Sequence, residues 1–238
     1  MDVLNNFWNT NLSDGVFSSL IVICIIILLC IYIGIRAAFQ DPLKKPKGFL
    51  LIAEMGVNFF DNMAAGLLGE RFRSFGGYIM AFGVYMFIAF IFGLTGLPSA
   101  ITSMAIPFSL GLSTFIMIHA TAIKYNKFRY FKRYIEPVPL FLPINLISMW
   151  APLLSLTLRI FGNALSGYVI MSIIYYGFEA VSGSIFASIG ASGLSFAPLV
   201  TWILHLYFDV WSGFIQTTVF LSLTVIYVGQ EVPEDLIG

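Results

Sequence analysis

Three observations predict an all-α integral membrane protein. Hydrophobic residues make up 59% of the 238-residue chain and charged residues only 10%, against roughly 25% in an ordinary soluble domain. Mean hydropathy is +0.92. Five apolar stretches each reach the ~20 residues a helix needs to cross the roughly 30 Å hydrocarbon core. Twelve Lys and Arg balance twelve Asp and Glu, for zero net charge. That excludes a basic nucleic-acid binder, and it leaves too little charge for a normal soluble surface.

The elements follow in order as one membrane domain, 1–238. Residues 1–48 hold the N-terminus and a first span at 16–38; with no positive leader and so long an apolar run, this span is expected to be retained. Cys24 and Cys30 lie inside it and suit neither a disulfide framework nor a zinc site. Arg36, Lys44, Lys45 and Lys47 mark its exit, where Pro42 and Pro46 stop the helix. Residues 49–75 read as a surface amphipathic helix. Glu54, Asn58, Asp61 and Asn62 share one side of it, and Ile52, Met55, Phe59, Met63 and Leu67 the other. Packing of the polar side against other subunits is the alternative. A hairpin of two spans fills 76–123, turning at 98–105. The last stretches, 137–178 and 196–228, exceed one upright span; each is either a hairpin or a long tilted helix.

Charge placement sets the orientation. Eleven of the twelve basic residues fall at the first exit, at Arg71 and Arg73, and in the 124–133 loop. All three places share one face if 49–75 stays on that face, so the positive-inside rule makes it cytoplasmic. The N-terminus is then outside, with the 98–105 turn and the 178–195 loop, and the C-terminus is inside. Glu179 falls in that outer loop as a candidate mouth, while His119 reads as an interfacial residue just before Lys124.

The twelfth basic residue, Arg159, lies deep in the fourth apolar stretch. A cation at mid-membrane costs from about 2.5 to more than 10 kcal/mol and is by default a functional hypothesis. Arginine also stays charged where lysine can neutralise. Ser155, Arg159, Asn163 and Ser166 follow spacings of four, four and three. In the fifth stretch His205, Asp209, Ser212 and Gln216 follow spacings of four, three and four. Each set occupies one helix face. Two such stripes, each with one opposite charge, would line a polar path; a dry Arg159–Asp209 structural pair is the alternative. Carboxylate and imidazole on that path are the groups that exchange protons. Phosphate-cradling loops, metal clusters and a nucleophile elbow are missing from the sequence, so ion movement is favoured over covalent catalysis. No cofactor is expected.

Leu156-Thr157-Leu158-Arg159-Ile160-Phe161-Gly162-Asn163, followed by Gly167, resembles the signature of subunit a of F-type ATP synthases. Gln216 with Leu223-Thr224-Val225-Ile226-Tyr227 is similar to that family's final helix, and Gly93-Leu94-Thr95-Gly96-Leu97-Pro98 to its turn after the second span. The resemblance implies a proton-translocating stator subunit, not an enzyme by itself, without bound nucleotide. Its partners would be the c-subunit ring, the peripheral-stalk b subunits and the lipid of a bacterial plasma membrane. It also implies two long tilted helices in 134–238. Arg159 would face the ring carboxylates and separate two half-channels, with Asp209, Gln216 and Asn163 on the path; the helix-face spacing adds His205, Ser155, Ser166 and Ser212 to the same path. The chain departs from the family pattern at Tyr168, Ser148 and Met149, where many members are acidic or carry His; Glu136 is a candidate substitute at the inner mouth. A stand-alone transporter or channel built on Arg159 and Asp209 is the alternative function.

Overall fold

A computed structural model describes residues 14–41, 46–97, 99–127, 130, 140, 142–187 and 197–233. Among them the elements are all helical. They are α1 (Asp14–Ala38), α2 (Phe49–Leu68), α3 (Gly76–Ile91), α4 (Ala105–Asn126), α5 (Leu142–Ala187), α6 (Ala197–His205) and α7 (Ser212–Gly229). Short 3-10 turns, Glu70–Phe75 and Phe92–Thr95, flank α3, and a π-helical segment, Leu206–Trp211, joins α6 to α7. Five stretches are long and apolar enough to cross a membrane: Gly15–Ala38, Glu70–Thr95, Ala105–Asn126, Leu142–Gly183 and Thr201–Gly229. α2, with Glu54 and Asp61 on it, is not among them.

α5 runs unbroken for 46 residues, about 69 Å at 1.5 Å per residue. The hairpin alternative for the fourth stretch is therefore excluded. The fifth stretch likewise continues through the π segment into α7 without reversing. Helix also persists beyond the apolar run, so Glu179 stands exposed on α5 and not in a loop. The reason is general: a helix satisfies its own backbone bonds and does not end because apolar side chains do. Glu136, Lys44, Lys45, Arg129, Lys132 and Arg133 lie outside the described residues.

The core forms where α3, α4, α5 and α7 meet, around buried Met86, Phe90, Leu110, Leu156, Ile160, Phe220 and Val225. In lipid, helices gain little by hiding apolar surface from one another, so close backbone approach at small residues carries the association. Gly213 on α7 presses on α3: a Cβ there would lie 2.7 Å from that of Phe90. Gly111 on α4 does the same to α5, where a Cβ would meet Thr157 Oγ1 at 2.5 Å.

Side-chain contacts fix which helix ends lie together. A Cβ on Gly15 would come within 2.6 Å of Ser103, placing the start of α1 against the turn between α3 and α4. The rings of Phe72 and Tyr125, 6.1 Å apart, bring the start of α3 to the end of α4. Tyr32 and Phe49, at 6.0 Å, join the end of α1 to the start of α2. Arg36, Lys47, Arg71, Arg73, Lys124 and Lys127 thus gather at one end of the bundle.

Candidate ion-translocation site

Arg159 stands on the outer face of α5. Leu156 and Ile160 beside it are buried at 1% and 0% exposure, whereas Arg159, Leu158, Gly162 and Ser166 are exposed. Open space surrounds the Cα of Gly162. The guanidinium Nη2 donates to Ser155 Oγ at 3.2 Å, one turn back on the same helix. Among the described residues no ion pair links Arg159 to Asp209, whose carboxylate is held by a different group. The dry Arg159–Asp209 pair is not what the chain forms.

Asp209 lies in the π segment and His205 closes α6. His205 Nδ1 is 2.6 Å from Asp209 Oδ2. On its other side, His205 Nε2 is 3.0 Å from the Tyr175 hydroxyl of α5. Thr201 Oγ1 donates to that hydroxyl at 3.0 Å. Thr201, Tyr175, His205 and Asp209 therefore form one continuous string of hydrogen bonds between α5 and α6. A π turn adds a residue to the helical repeat, and here it keeps Asp209 aimed at His205 and at the cleft. Gly93 leaves room in front of it: a Cβ there would sit 3.4 Å from the carboxylate.

The string borders a cleft of about 510 Å³ between the α3–α4 turn, α5 and the π segment. Asn163, Gly167, Ser172 and Tyr175 line its α5 wall, Gly93, Ser99 and Thr102 its turn wall, and His205, Phe208 and Asp209 its third. At its deep end Asn163 Nδ2 donates to Ser212 Oγ at 2.9 Å, and the Ser212 hydroxyl lies 3.0 Å from Asn163 Oδ1. Gln216 is one turn further along α7, only 7% exposed, with Nε2 unpaired among the described residues. Ser166 turns away from the cleft and bonds the Asn163 carbonyl at 3.0 Å.

A second cavity, about 240 Å³, opens toward the other end of α5. His119, Asn145, Ser148, Pro152 and Glu231 line it. On α5, Arg159 lies between the two: Asn145, Ser148 and Pro152 precede it and Asn163 to Tyr175 follow it. His119, half-buried, packs against Phe115 with ring centroids 4.0 Å apart.

The sequence-predicted residues thus fall into separate groups. His205 and Asp209 meet, as do Asn163 and Ser212, and Arg159 with Ser155. Glu179 joins none of them among the described residues. Tyr175 and Thr201 were not among the expected residues. Thr201 carried a signal, since it extends the His205–Asp209 spacing back by four; Tyr175 stands out from nothing in its apolar surroundings.

Comparison with known proteins gives a consistent answer. The ATP synthase A chain family model matches residues 16–229. ATP synthase subunit a of Mycoplasma genitalium is 31% identical over 229 residues, covering 90% of this chain and 78% of the relative. That of Mycoplasma pneumoniae is 31% identical over 232 residues, with 90% and 78% covered. A sodium ion specific ATP synthase subunit a from Propionigenium modestum is 27% identical over 239 residues, covering 91% and 76%. Membrane-length helices and similarity along most of the chain agree: the chain belongs to the ATP synthase A chain family, non-catalytic subunits of the membrane sector.

Proposed function

We propose that the chain is the proton-translocating a subunit, passing protons to and from the carboxylates of a c-subunit ring through two offset half-channels. The observation that carries this reading is the position of Arg159, exposed on α5 between two separate polar clefts. An exposed guanidinium at membrane depth is costly unless an anion faces it. Asp209, the acid of the fifth span, is paired with His205, which leaves the anion opposite Arg159 to a partner. A ring carboxylate arriving opposite Arg159 is favoured in its ionised form and must have released its proton before it passes. The same fixed cation keeps protons from running directly from one cleft to the other.

The larger cleft supplies the outer half-channel. His205 and Asp209 exchange protons there, Tyr175 and Thr201 extend the relay, and Asn163, Ser212 and Gln216 carry its polarity toward Arg159. The basic end of the bundle is cytoplasmic by the positive-inside rule, which leaves the N-terminus outside and the C-terminus inside a bacterial plasma membrane. Peripheral-stalk b subunits complete the stator. A transmembrane potential contributes about 2.3 kcal/mol per charge per 100 mV, enough to drive directed rotation.

The test uses inverted membrane vesicles carrying the assembled complex. Arg159→Ala is expected to abolish ATP-driven acidification while the subunit still co-purifies with its ring. Normal coupled pumping by that variant would refute the reading. The purified chain alone is expected to carry no flux in liposomes; solute or proton flux without a ring would favour a self-contained transporter.

A further inference from the structure

We infer that Glu231, with His119, is the proton-exchange group of the inner half-channel. The inference rests on the half-channel reading above and names the residues that perform its inner step. The inner cavity is lined by His119 from α4, Asn145 and Ser148 from α5, and Glu231 from the turn that follows α7. Glu231 is 9% exposed, unusual for a carboxylate outside any obvious functional motif. Its place is fixed by backbone: its amide donates to the Val228 carbonyl at 3.2 Å, and Asn126 Nδ2 donates to the Glu231 carbonyl at 3.4 Å. The turn thus ties the end of α7 to the end of α4 and sets the acid in the wall of the cavity.

A route from this cavity to Arg159 is written along α5. Asn145, Ser148, Pro152, Ser155 and Arg159 follow spacings of three, four, three and four, one face of a helix. Pro152 lies inside α5 and has no N–H to give, so the Ser148 carbonyl loses its usual helical donor and remains an acceptor toward the cavity. Ser155 already accepts from Arg159. Serine hydroxyls and a freed carbonyl are what a proton-conducting chain of waters needs along its wall. At about 30 Å³ per water, 240 Å³ admits several.

In the pumping direction that takes protons from the cytoplasm, Glu231 accepts a proton from the inner aqueous phase and His119 shares it within the cavity. The proton then passes along the water-lined α5 face to an ionised ring carboxylate beside Arg159. The reverse sequence releases it. Each step moves one proton between an oxygen or nitrogen base and water, with no other reactant.

The experiment uses assembled complexes in inverted vesicles, with Cys24→Ser and Cys30→Ser as background. Glu231→Gln is expected to lower ATP-driven acidification at least tenfold while ring co-purification is unchanged, and Glu231→Asp to restore most of it. A Ser148→Cys variant is expected to be blocked by a small cationic thiol reagent added to the exposed cytoplasmic face. Full pumping by Glu231→Gln, or loss that Glu231→Asp does not restore in an assembled complex, would overturn the assignment of Glu231. Failure of Ser148→Cys to react would overturn the route. Arg159→Ala separates the two levels: if it stops pumping while Glu231→Gln does not, only this inference fails; if neither stops pumping, the half-channel reading fails as well.

Discussion

His205 and Asp209 stand 2.6 Å apart, Nδ1 to Oδ2, across the junction where α6 gives way to the π segment. The carboxylate fixes the imidazole's orientation, and the opposite ring nitrogen reaches the Tyr175 hydroxyl at 3.0 Å. A base oriented by an acid is an efficient proton carrier because neither group must search for its partner. Asp209→Asn keeps an acceptor for Nδ1–H but loses the titrating group. Passive proton flux through the membrane sector is expected to fall by about tenfold or more, with assembly intact. Fluorescent-dye quenching in vesicles stripped of the catalytic sector measures this, and unchanged flux removes Asp209 from the path.

Tyr175→Phe tests the far end of the same string. It keeps the ring against His205, at a centroid distance of 5.9 Å, and removes only the hydroxyl that both Thr201 and His205 contact. Flux is expected to drop severalfold, less than for Asp209→Asn, because the His205–Asp209 pair survives. A variant as slow as Asp209→Asn would mean that Tyr175 transfers protons obligatorily.

The Asn163–Ser212 contact stitches α5 to α7 by two short bonds, 2.9 and 3.0 Å. Interhelical polar contacts in membranes couple by about 0.6 kcal/mol on average and up to about 1.7. A double-mutant cycle of Asn163→Ala and Ser212→Ala, read by unfolding in detergent, is expected to give a coupling in that range. Additive losses would show that the two side chains act independently.

What was legible in the sequence follows from cost. Arg159 and Asp209 stood out because a charge in lipid needs a reason; in each case the polar residue four positions before it is its hydrogen-bond partner, Ser155 and His205, while Ser166 turns away. The five membrane-length helices were equally legible, since apolar length is dictated by bilayer thickness. Tyr175 was not: tyrosine is unremarkable in a membrane helix, and its link to His205 spans 30 residues of sequence. The π segment was hidden too, because Leu206–Trp211 is as apolar and aromatic as its neighbours. Glu179 was misplaced because hydropathy reports where apolar side chains end and not where backbone hydrogen bonding ends. Glu231 was hidden for a related reason: chain position near the C-terminus says nothing about which cavity a turn points into.

Close helix packing makes a different kind of prediction. Gly213→Leu would drive a side chain into Phe90, whose Cβ already lies 2.7 Å from where a Cβ at 213 would sit. Overpacking of a tight contact costs typically about 1–3 kcal/mol, here spent on prising α7 from α3. Lower steady-state amounts of the subunit in membranes are expected, with partial recovery in the Gly213→Leu, Phe90→Gly double variant, which removes the opposing Cβ. Absence of recovery would place the damage elsewhere than at this contact.

Gly93 separates packing from passage. A Cβ at 93 would lie 3.4 Å from Asp209 Oδ2 and 3.5 Å from its Cγ, close but short of the overlap at Gly213. The residue sits in the 3-10 turn after α3, and it lines the cleft and not the buried core. Gly93→Ala should therefore be accommodated, with flux reduced only modestly. Gly93→Leu extends further apolar atoms into the space in front of the carboxylate, which costs water access more than it costs helix packing. Membrane levels of the subunit are expected to stay near normal while proton flux falls toward that of Asp209→Asn. The comparison is decisive because Gly213→Leu should lower protein amount and flux together, whereas Gly93→Leu should lower flux per assembled complex. Parallel losses of amount and flux in both variants would mean that the space before Asp209 is filled for stability and is not a passage.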